Sequence, residues 1–253
     1  MKLNYTDQGA GQPVILLHGM FGSLSNLGNL ARDLATVYRV ISADLRNHGD
    51  SPHEQKMDIT SMADDVVELL DDLDLSAVNL IGHSLGGKVV MQVALNYPSR
   101  VAKLVVADIA PVAYVPRQDA ALEALRAISD IEVNSRGQAD SVMAAHVLEP
   151  ETRSFLLKNL MRKADGGYGL KINMSSIAEN YGTSLAAAPA GLPYSGPTLF
   201  LKGETSAYIQ SKHQPRMAEL FPNMKLEVIN DVGHWLHSEN PVEFNRRVTD
   251  FLS

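Results

Sequence analysis

The residues best suited to chemistry lie in Gly82–Gly86, which reads Gly-His-Ser-Leu-Gly and fits G-x-S-x-G, a nucleophile pattern. The apolar run 78–81 before it predicts a buried strand, and residues 86–95 after it predict a helix. A sharp turn from strand to helix would lift the Ser84 hydroxyl clear of the sheet, and the glycines would permit that turn. The alternative is a glycine-rich turn with an incidental serine, which the strand and helix around it disfavour.

A serine hydroxyl needs a base to take its proton, and the chain has eight histidines. His234 is the best candidate, because it follows the last predicted strand and so belongs at the same edge of the sheet as Ser84. His237 is its rival, although we expect it in a short helical turn that faces elsewhere. Either histidine could instead be structural, but the order serine, acid, histidine along the chain favours His234.

The carboxylate that orients the histidine is harder to assign. The turn after the penultimate predicted strand has Ser206 three residues after a glycine, where an aspartate commonly sits. Glu204, in the same turn, is close to the strand end. One strand earlier, Asp108 closes a buried apolar run, and a carboxylate in that position needs a partner to offset its desolvation. We therefore assign Asp108 as the acid; its alternative role is to cap the start of the next segment.

An oxyanion hole requires two backbone N–H groups. Leu85, directly after the nucleophile, supplies one. The second should come from the loop after the predicted strand 14–17, where Met20 is our first choice and Phe21 our second. We expect His18 to brace this loop rather than to transfer protons.

These residues need a scaffold of alternating strands and helices, which predicts an α/β fold with a mostly parallel central sheet covered by helices on both faces. The predicted strands are residues 14–17, 38–43, 78–81, 101–107, 198–202 and 226–229. The predicted helical segments are residues 24–34, 59–73, 86–95 and 241–251. Thr60 or Ser61 is the expected cap of the second helical segment.

Residues 111–196 interrupt this alternation with helical patterns and no convincing strand. Their apolar stripes are Leu122, Leu125 and Ile128, and Phe155, Leu156 and Leu160. We predict a core domain formed by residues 1–110 and 197–253, with residues 111–196 as a helical cap, or lid, over the carboxyl ends of the strands. The alternative is a set of helices packed on the flank of the sheet.

The amino-acid composition excludes several classes of function. The chain has 253 residues, is 45% hydrophobic and carries a formal net charge of -7, which argues against nucleic acid or an anionic membrane as its main partner. It has no cysteine, which excludes disulfides and a cysteine nucleophile. We find no apolar N-terminal segment of signal-peptide length and no stretch of roughly 20 apolar residues, so we expect a soluble cytoplasmic protein.

The sequence gives less support for a metal or cofactor site than for a serine nucleophile. His48 with His53, or His234 with His237, could be imagined as metal ligands, but no carboxylate cluster completes a ligand shell. The chain has neither a dinucleotide fingerprint nor a phosphate loop. We therefore expect no metal and no cofactor.

The motifs together resemble those of a known family over nearly the whole chain. The matching stretches are residues 18–23, 44–51, 82–88, 108–112 and 233–235. The chain resembles the α/β-hydrolase superfamily and, within it, the YbfF-type esterases, to which the runs 46–49 and 108–111 are more specific. The resemblance implies a triad of Ser84, Asp108 and His234. It also implies esterase activity on short or medium acyl esters, with acyl-CoA thioesters as a further substrate class.

The sequence therefore predicts a serine carboxylesterase that acts on a small acyl ester through an acyl-enzyme intermediate. Three alternatives stay open: an acyl-CoA thioesterase with the same triad, a carbon–carbon bond hydrolase or perhydrolase, and a ligand-binding protein on an inactive hydrolase scaffold. For the thioesterase, Lys88 or Arg46 would be the cation that meets a CoA phosphate.

Overall fold

A computed structural model describes residues 1–115, 119–164 and 166–253. Its strands are β1 (Tyr5–Gly9), β2 (Pro13–Leu17), β3 (Arg39–Ala43), β4 (Val78–His83), β5 (Val101–Ala107), β6 (Leu160–Arg162), β7 (Tyr168–Leu170), β8 (Thr198–Gly203) and β9 (Met224–Ile229). Its α-helices are α1 (Gly28–Leu34), α2 (Ile59–Asp72), α3 (Leu85–Asn96), α4 (Ala120–Ser129), α5 (Arg136–Met143), α6 (Pro150–Leu156), α7 (Met174–Asn180), α8 (Gln214–Leu220), α9 (Leu236–Glu239) and α10 (Pro241–Leu252).

The central sheet has the strand order β1-β3-β2-β4-β5-β8-β9. Strand β1 pairs antiparallel with β3, and the other neighbours in this sheet pair in parallel. The predicted α/β fold, a mostly parallel sheet flanked by helices, is confirmed. Because parallel strands meet their carboxyl ends at one edge of a sheet, the loops after β2, β4, β5, β8 and β9 converge there.

The inner strands of this sheet are buried on both faces, which explains why they are mostly apolar. In β2, Ile15 and Leu17 point into a core shared with buried residues of α2 and α3. The alternate residues Val14 and Leu16 point into a second core shared with α1 and α10.

The pairing of β4 with β5 contains one irregularity. Val78 stands opposite Val101, but Asn79 stands opposite Lys103, so Ala102 has no residue of β4 opposite it. This extra residue is a β-bulge at the start of the two strands. From Lys103 onward the pairing runs without interruption to the ends of the strands.

The start of α2 differs from our expectation. Thr60 or Ser61 was the expected cap, but the cap is Asp58, whose side chain accepts a hydrogen bond of 2.7 Å from the backbone N–H of Ser61. Asp58 has an extended backbone, with φ of −127°, and the helix begins directly after it at Ile59. Both predicted caps therefore lie inside the first turn, and that prediction is wrong.

Residues 111–196 contain α4 to α7, and Leu122, Leu125 and Ile128 form the buried face of α4. The expectation that this region has no strand is wrong, since β6 and β7 pair antiparallel with Leu160 opposite Leu170. Leu160 lies in β6 rather than on a helical stripe, because α6 ends before it and a 3₁₀ turn intervenes. Residues 116–118 and 165 of the predicted cap lie outside the described residues.

Within the described ranges, the helices are all too short or too polar to cross a membrane.

Candidate active site

The predicted nucleophile lies at the turn between β4 and α3. Ser84 has φ of 52° and ψ of −114°, a conformation that is strained for a residue with a side chain. A Cβ on Gly82 would lie 2.2 Å from the carbonyl oxygen of Gly86, and one on Gly86 would lie 2.5 Å from that of Leu17. Both glycine positions of the motif therefore exclude any side chain, which is the physical reason for G-x-S-x-G here.

His234, the predicted base, reaches Ser84 from the loop after β9. Its Nε2 lies 3.0 Å from Ser84 Oγ, and its Nδ1 lies 2.7 Å from Asp108 Oδ2. The loop is held by Glu239, whose carboxylate accepts hydrogen bonds from the backbone N–H groups of Gly233 at 2.7 Å and Trp235 at 3.0 Å. The structure thus brings the three predicted residues into one hydrogen-bonded chain.

Asp108 directly follows β5, is fully buried and has φ of 50°. Its carboxylate accepts hydrogen bonds from the backbone N–H of Gly203 at 3.1 Å and from the hydroxyl of Ser206, in addition to the histidine. Ser206 is the position where we looked for an aspartate, and here it donates to the acid of the neighbouring strand. The carboxylate of Glu204 accepts from the backbone N–H of Asp231 at 2.9 Å.

The hydrogen-bond ladder of the sheet continues through these residues. The backbone N–H of Ser84 donates to the carbonyl of Ala107 at 3.0 Å, and that of Asp108 donates to the carbonyl of Leu201 at 2.8 Å. Ser84 and Asp108 therefore extend adjacent strands in register, and the spacing of strands, roughly 4.8 Å, sets how far apart their backbones lie.

The loop after β2 passes beside the turn that carries Ser84, where the backbone N–H of Gly86 donates to the carbonyl of His18 at 3.1 Å. The backbone N–H of Phe21 donates to Nε2 of His48 at 3.2 Å, so our second choice for an oxyanion donor is already engaged. Among the described residues, the N–H groups of Met20 and Leu85 make no hydrogen bond. These two remain available to a ligand.

His18 has the bracing contacts that we expected. Its Nδ1–H donates to the carbonyl of Gly19 at 2.7 Å, and its Nε2 accepts from the backbone N–H of Leu45 at 3.1 Å. Burial lowers the pKa of His18 to about 4, so the ring stays neutral. Its neutral form ties the loop after β2 to the residues after β3.

Two further histidines pack next to His234. His83 donates a hydrogen bond of 2.8 Å from Nε2 to the backbone carbonyl of His234. His237 lies in α9 with its ring centroid 4.5 Å from that of His83. Burial lowers the pKa of His237 to about 4 and holds that of His83 well below its usual range. Sequence reasoning missed the contact of His83, because its place in the motif says nothing about its side chain.

Aromatic rings also pack near His234. The ring of Tyr208 stacks on the imidazole, with centroids 4.0 Å apart and planes 24° apart. Trp235 meets Phe155 of α6 edge to face, with centroids 4.2 Å apart. Residues 111–196 therefore reach the loop that carries His234. No sequence signal pointed to Tyr208, since it lies in a loop without periodicity.

The two cations that the thioesterase alternative would use to meet a CoA phosphate are buried. Arg46 makes two hydrogen bonds to the carboxylate of Asp65, at 2.6 and 2.8 Å. Lys88 donates to the backbone carbonyls of three successive residues, 185–187, at 3.1, 2.9 and 2.7 Å. Burial lowers the pKa of Lys88 to about 8. Neither residue is therefore placed as an exposed contact for a CoA phosphate.

Metal ligation has no support from the described side chains, which include no group of three histidines or carboxylates placed to hold an ion. His48 donates from Nδ1 to the carbonyl of Arg46 at 3.0 Å, and His53 donates from Nε2 to that of Lys171 at 2.9 Å. The absence of a metal or cofactor stays a prediction.

A cavity of about 480 Å³ borders the loop after β2. Phe21 and Gly22 line it from that loop, and Phe155 and Lys158 line it from the region of α6. The cavity thus lies between residues 4–50 and residues 155–171, with room for part of a small molecule.

Comparisons of this chain with known proteins agree on one family. The family model described as alpha/beta hydrolase fold matches residues 12–241. Esterase YbfF of Escherichia coli (strain K12) is 37% identical over 261 residues, which are 100% of each chain. The protein named sn-1-specific diacylglycerol lipase ABHD11 of Mus musculus is 37% identical over 262 residues, which are 100% of this chain and 85% of that protein. A solved structure of a marine microorganism esterase is 38% identical, with a TM-score of 0.94 and 99% of each chain covered. The chain therefore belongs to the α/β-hydrolase family, as an enzyme of its ester-hydrolysing branch.

Proposed function

We propose that this chain is a serine carboxylesterase that cleaves short- to medium-chain acyl esters through an acyl-enzyme intermediate. The observation that carries the proposal is the hydrogen-bonded chain from Ser84 Oγ to His234 Nε2, at 3.0 Å, and from His234 Nδ1 to Asp108 Oδ2, at 2.7 Å. A nucleophile, a base and an orienting carboxylate in this order are the parts that acyl transfer needs. The esterase and lipase names of the relatives support the same class.

In acylation, Ser84 Oγ attacks the carbonyl carbon of the ester, and its proton passes to His234 Nε2. The buried carboxylate of Asp108 stabilises the imidazolium and keeps the Nδ1–H tautomer. The carbonyl oxygen becomes an oxyanion, for which the free N–H groups of Met20 and Leu85 are the donors. Each such donor contributes about 3–4 kcal/mol to the stability of the transition state.

Collapse of the tetrahedral intermediate expels the alcohol, which takes the proton from His234 Nε2. In deacylation, His234 removes a proton from water as the water oxygen attacks the acyl carbon. The second tetrahedral intermediate collapses with Ser84 as the leaving group, and His234 returns the proton to Oγ. The products are a carboxylic acid and an alcohol, and the enzyme is restored.

We further propose that residues 111–196 act as the helical cap over a core of residues 1–110 and 197–253, and that apolar side chains of this cap form a wall for the acyl chain. The contact of Phe155 with Trp235, next to the base, supports this placement. A cytoplasmic location and a small-molecule substrate belong to the same proposal. Thioester hydrolysis would use the same atoms, but Lys88 and Arg46, the cations that would meet a CoA phosphate, are buried.

Covalent labelling tests the proposal. A fluorophosphonate should label the wild-type protein with one equivalent, and Ser84→Ala should abolish the label. Ser141→Ala is the matched control, since Ser141 is exposed on α5 and donates only within its own helix. It should label as the wild type does. An unlabelled wild type, or a fully labelled Ser84→Ala variant, contradicts the proposal.

A panel of p-nitrophenyl esters from acetyl to palmitoyl, with matched acyl-CoA thioesters, then tests the substrate class. We expect the highest kcat/KM among the short and medium esters. Higher kcat/KM values for the thioesters at every acyl length would contradict the assignment as a carboxylesterase.

A further inference from the structure

We propose that Tyr208 is a positioning residue whose ring holds the imidazole of His234 and stabilises its cationic form. This inference rests on the proposed function, in which His234 is the base. The two rings stack face to face, with centroids 4.0 Å and planes 24° apart. The face of an aromatic ring attracts a cation within about 6 Å of its centroid. A stacked aromatic ring thus favours the imidazolium that forms in each half of the reaction.

The backbone of Tyr208 is fixed from two sides. Its N–H donates to the hydroxyl of Ser206 at 3.3 Å, and that hydroxyl donates to Asp108. Its carbonyl accepts a hydrogen bond of 2.7 Å from the hydroxyl of Tyr114. The same hydroxyl accepts from the backbone N–H of Ala110 at 2.9 Å. Tyr208 is therefore tied to the triad acid and to the segment that follows the acid, so its ring is placed by the elements that place Asp108.

Tyr114 is itself held in one orientation. Its backbone N–H donates to the carbonyl of Ala186 at 2.9 Å, and the ammonium of Lys88 lies 4.9 Å from its ring centroid. Burial raises the pKa of the Tyr114 hydroxyl, so this group keeps the proton that it donates to Tyr208. The anchor of Tyr208 thus extends to α3, the helix that begins directly after Ser84.

The ring of Tyr208 contacts the imidazole at a place that the other two triad residues do not. Asp108 and Ser84 contact the imidazole in its own plane, at the two ring nitrogens, whereas Tyr208 covers a face. The other aromatic neighbours of His234 are His83, with centroids 4.8 Å apart, and Trp235, at 6.3 Å. His237 lies behind His83. Burial keeps both of these histidines neutral, so neither places a positive charge beside the imidazole of His234.

The experiment compares variants that keep or remove the ring. Tyr208→Phe keeps it and should retain kcat within about twofold. Tyr208→Leu removes it and should lower kcat by about fivefold to thirtyfold, the range that follows from a cation–π contact. KM should change less than kcat, and the acid limb of the kcat/KM profile should move about one unit to lower pH. Tyr114→Phe loses the hydroxyl anchor and should give an intermediate kcat. The control is Tyr5→Leu, a tyrosine on β1 that is 40% exposed.

Thermal melts of each variant exclude unfolding as the cause of a loss, and Tyr208→Met replaces Tyr208→Leu if the latter melts below the assay temperature. The inference is overturned if the ring-free variant keeps the wild-type kcat and acid limb, if Tyr208→Phe loses as much as Tyr208→Leu, or if only KM changes. These outcomes differ from failure of the proposed function, in which the wild type itself takes no fluorophosphonate at Ser84.

Discussion

Asp108→Asn should lower kcat by about four orders of magnitude while the fold stays intact. Asparagine has nearly the shape of aspartate, and its amide oxygen can still accept from Gly203 N–H, which lies 3.1 Å from Oδ1. The amide nitrogen then faces His234 Nδ1 at the position of Oδ2, 2.7 Å away. Two donors cannot share that contact, so the imidazole adopts the tautomer with its proton on Nε2. That nitrogen can no longer accept the proton of Ser84.

The magnitude follows from the burial of this contact. Asp108 has 0% exposure, so water cannot replace the lost carboxylate, and the loss of both tautomer control and imidazolium stabilisation falls on the transition state. Loss of the same contact in a serine triad costs about 10⁴ in kcat, or about 5.4 kcal/mol at 1.36 kcal/mol per factor of ten. The fluorophosphonate should inactivate this variant more slowly by a similar factor, because that reaction also requires the activated serine.

Glu204→Gln is the matched control. The carboxylate of Glu204 accepts from the backbone N–H of Asp231, and an amide oxygen can replace it, so kcat should stay within about twofold. Steady-state kcat with a p-nitrophenyl ester measures both variants, and circular dichroism checks their folding. The reasoning fails if Asp108→Asn keeps more than about a tenth of kcat, or if Glu204→Gln loses as much as Asp108→Asn.

Three further predictions test burial and crowding. Burial lowers the pKa of His48 from 6.5 to about 3, so below pH 6.5 the unfolded chain binds a proton that the folded chain does not. As the pH falls below 6.5, the unfolding free energy measured in urea melts should therefore fall by up to about 1.4 kcal/mol per pH unit. The fall should be less steep in His48→Gln, and an unchanged slope in that variant would count against this. Lys88→Met leaves buried carbonyls without a donor and should cost about 2–3 kcal/mol of unfolding free energy, whereas an unchanged urea midpoint would contradict the role of those bonds. Gly86→Ala places its Cβ 2.5 Å from a backbone oxygen and should abolish activity or soluble expression. In Gly28→Ala the new Cβ meets open space among the described residues, so this variant should stabilise the protein by up to about 1 kcal/mol. Equal melting temperatures for this pair would refute the crowding argument.

The strands that carry the candidate site could be predicted because they are buried on both faces. Strands β2, β4, β5 and β8 are mostly apolar, and short apolar runs between turn residues are a strong signal. Strand β1 gives no such signal, since its five residues are all exposed at the edge of the sheet. The hairpin of β6 and β7 was missed for another reason: three residues are too few to show a period of two.

Within the site, residue type and order along the chain were enough to find groups at the ends of strands, but not contacts made by side chains from loops. The order serine, acid, histidine pointed to residues that lie together. Nothing in the sequence distinguishes Tyr208 from other loop tyrosines. The burial of Lys88 was also hidden, because the carbonyls that receive its hydrogen bonds lie 97 to 99 residues further along the chain.

The bulge at Ala102 makes the two ends of β5 unequal in their tolerance of a change in chain length. Loss of one residue at the bulge can be absorbed there, because Ala102 has no residue of β4 opposite it. The same loss between Lys103 and Ala107 would advance everything after it by one place, and a slip of one residue turns a side chain to the other face of a sheet. Asp108 would then point away from His234. The start of β5 therefore tolerates a change in chain length, whereas its carboxyl end does not. Asp108 directly follows the carboxyl end.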